Sequence, residues 1–430
     1  MYSSNKQSFS ENALARNSAW MFCGHGLSVI CQGVYFVLLA RLLGATEYGV
    51  YVGAFALVSI LSQYSALGSH SVFLRYVSAK PSLFPEYWGN VLLTTGCLGL
   101  TFAGMLAVVA PLVSHSYPAA FLLCLAVSDS LFAQISVAAG RVFQAFERMR
   151  TTATLTLLSN FLRMVAAGSL VLLIHRTGAR NWAWAILAVS ATTAIVAVTL
   201  VWKSFGRPQF SLNLLRRRSG EGFIFALSYS TTGIYNDIDK ALLGHFGMNM
   251  ANGIYTMAYR VVDVCTMPLY AVQSAAFPRF FKKGAEAGLK ETTAFAMRVV
   301  AHTAPLSLVA AGAMFIMAPV IPYVAGKGFL GSVEALRWLC LLPAFRSLHI
   351  SAGDALTGSG HQKLRLTTQA VAAGFNLAVN LYLIPRFGWL GAAWSSLATD
   401  GALGMMNWVV LLVIERRCRE QWAKCETAAA

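Results

Sequence analysis

The chain is built from apolar runs of about twenty residues, each separated from the next by charge or by Gly and Pro. They lie near 17–40, 48–73, 88–112, 118–144, 152–175, 181–203, 222–246, 252–278, 292–318, 334–357, 364–385 and 389–414. A helix rises about 1.5 Å per residue, so a run of this length crosses the roughly 30 Å hydrocarbon core of a bilayer. Backbone polar groups inside lipid must be satisfied internally, which leaves helix bundles and closed β-barrels. Barrel strands would read as alternating segments of about ten residues, and these runs do not have that form. The pattern predicts an all-α integral membrane protein with about twelve transmembrane helices. Composition agrees: 57% of residues are hydrophobic and 12% charged, against about a quarter charged in soluble domains. Residues 1–16 are polar and no small-residue cleavage signature follows the first run, so no cleaved signal peptide is expected.

The net charge of +16 raises a nucleic-acid reading, because basic patches bind phosphate backbones. The positions of the basic residues argue against it. Alternate loops, taken with the span ends beside them, hold 21 Lys and Arg in one set and 6 in the other. The richer set runs from Lys6 and Arg16 through Arg75, Arg148, Arg216 to Arg218, Arg279, Lys282, Lys283 and Lys363 to Arg416, Arg417, Arg419 and Lys424. Cytoplasmic loops carry the Lys/Arg excess, which puts both termini in the cytoplasm. The eight cysteines contain no Cys-x-x-Cys pair, and Cys23, Cys31, Cys97, Cys124, Cys265 and Cys340 fall in predicted spans. They read as small buried hydrophobes, with neither a disulfide framework nor a metal site implied.

The longest connection, residues 204–221, is basic and contains Pro208. It divides the chain into an N-terminal lobe of six helices (1–203) and a C-terminal lobe of six helices with a tail (222–430). An internal echo supports the division. Leu42-Leu43-Gly44 returns as Leu242-Leu243-Gly244, Gly49-Val50-Tyr51 as Gly253-Ile254-Tyr255, and Arg75 as Arg279. With an even number of spans in each half, the repeats are parallel and a site is expected between them.

Apart from Lys203, Glu334, Arg337 and Arg365 at span ends, twelve charges lie inside predicted spans: Asp129, Arg141, Arg163, Asp237, Asp239, Lys240, Arg260, Asp263, Arg298, Arg346, Asp354 and Asp400. At about 3 kcal/mol each on insertion scales, their gross cost is on the order of 36 kcal/mol before pairing and hydration, which calls for a polar interior. Asp237 and Lys240 are three apart on one helix face and form an expected pair, with Asp239 pointing nearly the opposite way. Spacings of three, four and seven gather Thr152, Thr156, Ser159, Asn160 and Arg163 on one stripe. The same spacing groups Arg298 with His302, Arg346 with His349, and Gln369 with Asn376 and Asn380. Ser, Thr and Asn on such stripes also serve as interhelical hydrogen-bond partners. Arginine keeps its charge, and its planar fork suits phosphate or carboxylate. Arg163, Arg298 and Arg346 are therefore the leading cavity cations, with Arg260 after them because Asp263 is placed to pair with it. Arg141 lies near a span end, where it could snorkel. Asp237, Lys240, Asp239, Asp129 and Asp354 are the ion-coupling candidates. No Gly-Lys-Ser/Thr phosphate loop is present, so ATP is not expected as the direct energy source. No recognisable catalytic triad or metal-ligand spacing occurs, and no cofactor is implied.

The run Asn380-Leu-Tyr-Leu-Ile-Pro385-Arg-Phe-Gly388-Trp-Leu-Gly391-Ala-Ala-Trp resembles the late-helix signature of Wzx-type polysaccharide flippases. The Leu42 to Tyr51 stretch, and Asp239-Lys-Ala-Leu-Leu-Gly leading to Gly253-Ile-Tyr, resemble the corresponding early and middle junctions of that family. The first-half counterpart of the late signature is degraded to Ile174-His-Arg-Thr-Gly178. The resemblance implies membership of the multidrug/oligosaccharidyl-lipid/polysaccharide exporter superfamily, with two six-helix lobes around a central, often cationic cavity. It implies a non-enzymatic flippase of the bacterial inner membrane that moves a polyprenyl-pyrophosphate-linked oligosaccharide (O-antigen, capsule or exopolysaccharide unit) by alternating access. Implied partners are membrane lipids, H⁺ or Na⁺, and the polysaccharide polymerase and export machinery. Twelve spans depart from the fourteen typical of lipid II flippases, which disfavours that substrate. The rivals are a cation-coupled multidrug exporter, which should favour acidic cavity residues, and a membrane glycosyl polymerase or ligase, disfavoured by the short outward loops.

Overall fold

The computed structural model describes the backbone of residues 2–113 and 117–429, and the side chains of 26–109, 117–227, 230, 233–286 and 288–417. The side chains of Lys6, Arg16, Cys23, Cys418, Arg419, Lys424 and Cys425 lie outside the described residues. Among the described residues every regular element is helical. In chain order these are α1 (Tyr2–Ser65), α2 (Ser69–Ala79), α3 (Phe84–Val113), α4 (Ala119–Ala126), α5 (Gln134–Ala145), α6 (Met149–Ile174) and α7 (Ala179–Phe205). They continue as α8 (Leu212–His245), α9 (Asn249–Met317), α10 (Ile321–Ala325), α11 (Ser332–Leu339), α12 (Leu342–Gly358), α13 (Gln362–Phe387) and α14 (Trp389–Ala429).

Eight helices among the described residues are individually long and apolar enough to cross a membrane. Non-helical backbone at Gly44 (φ 71°) divides α1, and at Gly288 (φ 68°) it divides α9. With α4–α5 and α11–α12 each taken as one crossing, the helices follow the predicted spans in order, consistent with twelve. The chain is a multi-pass membrane protein.

Two predicted spans are interrupted. The expected helix 48–73 stops at Ser65 and restarts at Ser69, because Leu67 (φ 44°) and Gly68 (φ 62°) take left-handed backbone. At Gly68 a side chain would also collide with the carbonyl of Gly222 on α8. The expected helix 334–357 breaks at Cys340 and Leu341. Pro343, in the first turn of α12, has no N–H to continue the α11 hydrogen-bond ladder. In the fourth span a π-helical turn over Val127–Ala133 joins α4 to α5.

The fold divides into two compact units, Met1–Gly233 and Ile234–Ala430. In the first, Phe73, Phe84, Trp88, Val142 and Phe143 form a buried cluster, and Phe205 stacks on Phe146 with ring centroids 4.2 Å apart. Glu47 Oε2 accepts from the Ala179 N–H at 2.7 Å, filling an open donor at the start of α7. In the second unit, Phe280, Ala296, Leu356 and Leu411 form the corresponding cluster. Lipid tails are as apolar as leucine, so helix association inside a bilayer rests on close packing and hydrogen bonds. Small residues provide that packing where α9 meets α12: a side chain on Gly284 would run into the Gly358 carbonyl, and one on Gly358 into Phe280.

Candidate functional site

Two polar constellations occupy the interior, one in each unit. In the second unit the centre is Lys240, on α8. Its Nζ lies 3.0 Å from Asp237 Oδ1, donates to the Asn236 carbonyl, and sits 3.8 Å from Asp239 Oδ1. The predicted Asp237–Lys240 pair is present. Its members differ in environment: the side chain of Lys240 is 5% exposed and that of Asp237 34%.

Asp239 departs from the expectation that it faces away from the pair. Its side chain folds back so that Oδ1 accepts from the Lys240 backbone N–H at 2.7 Å. Oδ2 accepts from Tyr255 Oη on α9 and from Ser396 Oγ on α14 at 3.3 Å, and those two hydroxyls are 2.8 Å apart. One buried carboxylate thus ties three helices together. Helical spacing places the Cβ atoms, but χ rotation can still bring a short carboxylate onto its own backbone.

One turn beyond Tyr255, Tyr259 joins this group to a second. Lys240 Nζ lies 4.6 Å and Arg346 Cζ 5.2 Å from the Tyr259 ring centroid, within cation–π range. Arg346 Nη2 donates to Tyr259 Oη at 2.6 Å, Nη1 lies 3.3 Å from Asp263 Oδ1, and Nε lies 3.6 Å from Asp400 Oδ2. Arg260 Nη1 stands 3.5 Å from Asp263 Oδ2, and His349 Nε2 3.8 Å from Asp400 Oδ1. Arg346 is therefore buried between two carboxylates and a phenol. Asp354 belongs elsewhere, 3.0 Å from Arg365 Nη1, which also reaches Thr357 at 2.8 Å. The Asn stripe of α13 faces α14: Asn380 donates to Asn376 at 2.9 Å, and Asn376 to Thr399 at 2.9 Å.

Arg298 is not drawn into this network. Its side chain is 60% exposed, with Nη2 3.9 Å from Glu291 and Cζ 5.9 Å from the Phe295 ring. His302 Nδ1 lies 2.7 Å from the Arg298 carbonyl. The expected grouping of Arg298 with Arg346 gives way to separate partners on separate elements, because the helix-face pattern of α9 alone does not say which neighbour each face meets.

The first unit holds the second constellation, a cavity of about 350 Å³ lined by α5, α6 and α7. The predicted α6 stripe of Thr152, Thr156, Ser159, Asn160 and Arg163 forms one wall. Arg141 and Gln144 contribute from α5, and Ser190 and Thr193 from α7. Arg141 Nη1 donates to Gln144 Oε1 at 2.9 Å, and Asn160 Nδ2 to Ser28 Oγ at 2.6 Å. Arg163 Nε is buried without a hydrogen-bond acceptor among the described residues. Asp129, in the π turn, accepts from Ser62 Oγ at 2.5 Å and is not among the cavity-lining residues. Arg141 is the lining residue that helical patterning undervalued: its place near a span end suggested snorkelling, whereas its Gln144 partner at i+3 marks an inward face.

A family model described as "Polysaccharide biosynthesis protein" matches residues 14–283. The chain belongs to this family. Its fold is that of the MOP-superfamily transporters. A multidrug-resistance MATE family transporter in its inward-facing conformation superposes with TM-score 0.72 at 14% identity, over 90% of this chain and 96% of that one. The lipid II flippase MurJ in an inward closed conformation gives TM-score 0.70 at 12% identity, over 94% and 87%. A MOP-superfamily transporter from Pyrococcus furiosus, described by a reversed polarity of its binding pocket, gives 0.60 at 14%, over 94% and 95%. Among curated proteins, an uncharacterized membrane protein of Methanocaldococcus jannaschii is 23% identical over 208 residues, 46% of this chain and 40% of that relative. Family membership and fold together support a flippase or exporter.

Proposed function

We propose that the protein is a flippase that carries a polyprenyl-diphosphate-linked oligosaccharide from the cytoplasmic to the periplasmic leaflet of a bacterial inner membrane. The observation that carries this reading is the polysaccharide-biosynthesis family match over residues 14–283, on a fold shared with a protein described as a lipid II flippase. Both termini are cytoplasmic, following the basic-loop asymmetry, and residues 1–203 and 222–430 act as the two lobes of an alternating-access cycle. Of the four cavity cations read from the sequence, Arg346 and Arg260 have carboxylate neighbours, which lowers their capacity to hold a second anion, and Arg298 stands near Glu291. Arg163 Nε has no hydrogen-bond acceptor among the described residues, which supports Arg163 as a substrate cation. Asp237, half-buried beside Lys240, is the coupling carboxylate, with Asp239, Asp129 and Asp354 in structural pairings. A polysaccharide polymerase and the export machinery are the downstream partners.

A second reading, a cation-coupled multidrug exporter, is favoured by the carboxylates Asp237, Asp239, Asp263 and Asp400 in the second unit. Reconstitution separates the two. Proteoliposomes carrying the purified protein and a fluorescent lipid-linked oligosaccharide are expected to move that label between leaflets, with no uptake of cationic dyes. Dye uptake without oligosaccharide movement would reverse the assignment.

A further inference from the structure

The connection from α7 to α8 carries charge and apolar surface that the fold does not use. Trp202, Phe210 and Leu212 are 53%, 63% and 69% exposed. Lys203, Arg207, Arg216 and Arg217 are exposed among them, and within the described residues none of the four joins an ion pair. Arg207 Cζ lies 5.7 Å from the Trp202 ring centroid, in cation–π range. Arg218, by contrast, turns inward: Nη1 donates to Tyr76 Oη at 2.7 Å and lies 3.6 Å from Glu221. The basic stretch of α9 is offset by its own acids, with Lys282 3.9 Å from Glu286 and Lys283 3.5 Å from Glu291.

This surface is held at one level by the first two turns of α3. The Phe205 ring, at the end of α7, stands 5.4 Å from that of Phe84. Gln209 N–H donates to the Pro85 carbonyl at 2.8 Å, and a side chain on Gly89 would collide with the Gln209 carbonyl. Asn90 grips Ser211 twice, donating to its carbonyl at 3.0 Å and accepting from its N–H at 3.1 Å. Depth relative to a bilayer follows from length. The 34 residues of α8 extend about 51 Å, roughly 20 Å more than a hydrocarbon core. Its apolar run begins near residue 222, so the turns bearing Arg216 and Arg217 stand outside the hydrocarbon, at headgroup level.

We propose that residues 202–217 form a docking surface for anionic phospholipid, with the four cations meeting headgroup phosphates and Trp202, Phe210 and Leu212 entering the boundary of the acyl chains. A bilayer presents many phosphates at one depth, so these side chains have to share a level and need not converge on a point. Basic residues interleaved with Trp, Phe and Leu are the pattern of interfacial segments. Loop charge asymmetry accounts for orientation, but it does not require exposed apolar side chains on a segment fixed to α3. Glu86, exposed on the first turn of α3, is the acid nearest in the chain to these contacts with α3, and one carboxylate leaves the four-cation surface positive. On the proposed orientation the leaflet is the cytoplasmic one. The inference does not depend on which substrate the protein carries.

Energy transfer from the tryptophans of the full-length protein in detergent to dansyl-labelled phosphatidylglycerol or phosphatidylcholine tests the proposal. Phosphatidylglycerol is expected to bind saturably and more tightly, with a preference that falls as salt is raised. Each Lys or Arg at an anionic surface contributes roughly a fivefold gain in affinity. Arg216→Gln with Arg217→Gln should therefore weaken phosphatidylglycerol binding about 25-fold and leave phosphatidylcholine binding nearly unchanged. Should that pair fail to fold, Lys203→Gln with Arg207→Gln, outside α8, carries the same expectation. Phe210→Ser with Leu212→Ser should weaken both lipids and keep the preference. Lys282→Gln with Lys283→Gln, in the acid-offset stretch, should change neither. Equal binding of the two lipids would hand the surface to a protein partner and overturn the proposal, as would a preference indifferent to the substitutions at 203, 207, 216 and 217. Displacement of labelled phosphatidylglycerol by glycerol phosphate at equal concentration would mark a site for free phosphate and also overturn it.

Discussion

Among single residues, Asp239 and Asp237 carry the same charge two positions apart and do different work. Asp239 holds α8 to Tyr255 and Ser396 and to the Lys240 backbone. Removing one partner of a buried charged network costs about 3–5 kcal/mol. Asp239→Ala is therefore expected to lower the melting temperature and the yield of folded protein, while Asp237→Ala, at a more exposed position, leaves both closer to wild type. Thermal unfolding monitored by fluorescence-detected chromatography reads the difference, and equal losses would contradict it. Arg346 and Arg298 make a second contrast. Arg346→Ala takes the guanidinium from buried Asp400, leaving His349 beside it, and from Asp263, which keeps Arg260, and should destabilise by up to a comparable amount. Arg298→Ala breaks an exposed pair of the kind that contributes at most about 1 kcal/mol. From the sequence the two arginines were indistinguishable, both lying on apolar spans beside a histidine. What separated them was the side chains on other helices, Tyr259, Asp263 and Asp400 for one and Glu291 for the other, and such tertiary neighbours leave no trace in helical periodicity. The Asp237–Lys240 pair and the α6 polar stripe were legible because each is a property of one helix.

Among elements, span order was readable from apolar run length, and helix interruptions were not. Ala66-Leu67-Gly68 continues the apolar character of the second run, so nothing in hydropathy marks its left-handed turn. The turn is fixed by the approach of Gly222 on α8, a partner far away in sequence. Glycine proximity also decides the α9–α12 crossing. A side chain on Gly358 meets Phe280 backbone and Cβ, and neither can rotate away. Overpacking of this kind costs about 1–3 kcal/mol. Gly358→Val should therefore reduce thermal stability, whereas Gly374→Ala, on an open face of α13, should not and should gain about 1 kcal/mol of helix propensity. If both variants melt with wild type, α9 and α12 are not packed through these glycines.

For the whole molecule, the distribution of charge sets both orientation and energetics. Basic residues beside Arg217 and Lys282 belong to the richer loop set, so periplasmic-reporter fusions after either residue are expected to be inactive and cytoplasmic-reporter fusions active. The two units hold different charges: Arg141 and Arg163 line a cavity in the first with no carboxylate among its described lining residues, and four carboxylates mix with Lys240, Arg260 and Arg346 in the second. On the proposed flippase reading the empty carrier has to be reset, and intramembrane carboxylates are the usual proton and cation sites of transporters. Asp237 is the most accessible acid of the Lys240 cluster. Under the proposed coupling role, a cation or proton at Asp237 would bind with different affinity in conformations that hydrate the Asp237–Lys240 pair differently, which is what biasing a conformational equilibrium requires. Oligosaccharide movement in proteoliposomes should therefore rise on imposing a proton or Na⁺ gradient. In Asp237→Asn, which keeps the shape and removes the charge, the basal rate should fall and the gradient response should vanish. Arg298→Gln, outside the network, should retain the response. A wild-type rate indifferent to both gradients would leave Asp237 and Lys240 as a structural pair and substrate supply alone as the driving force.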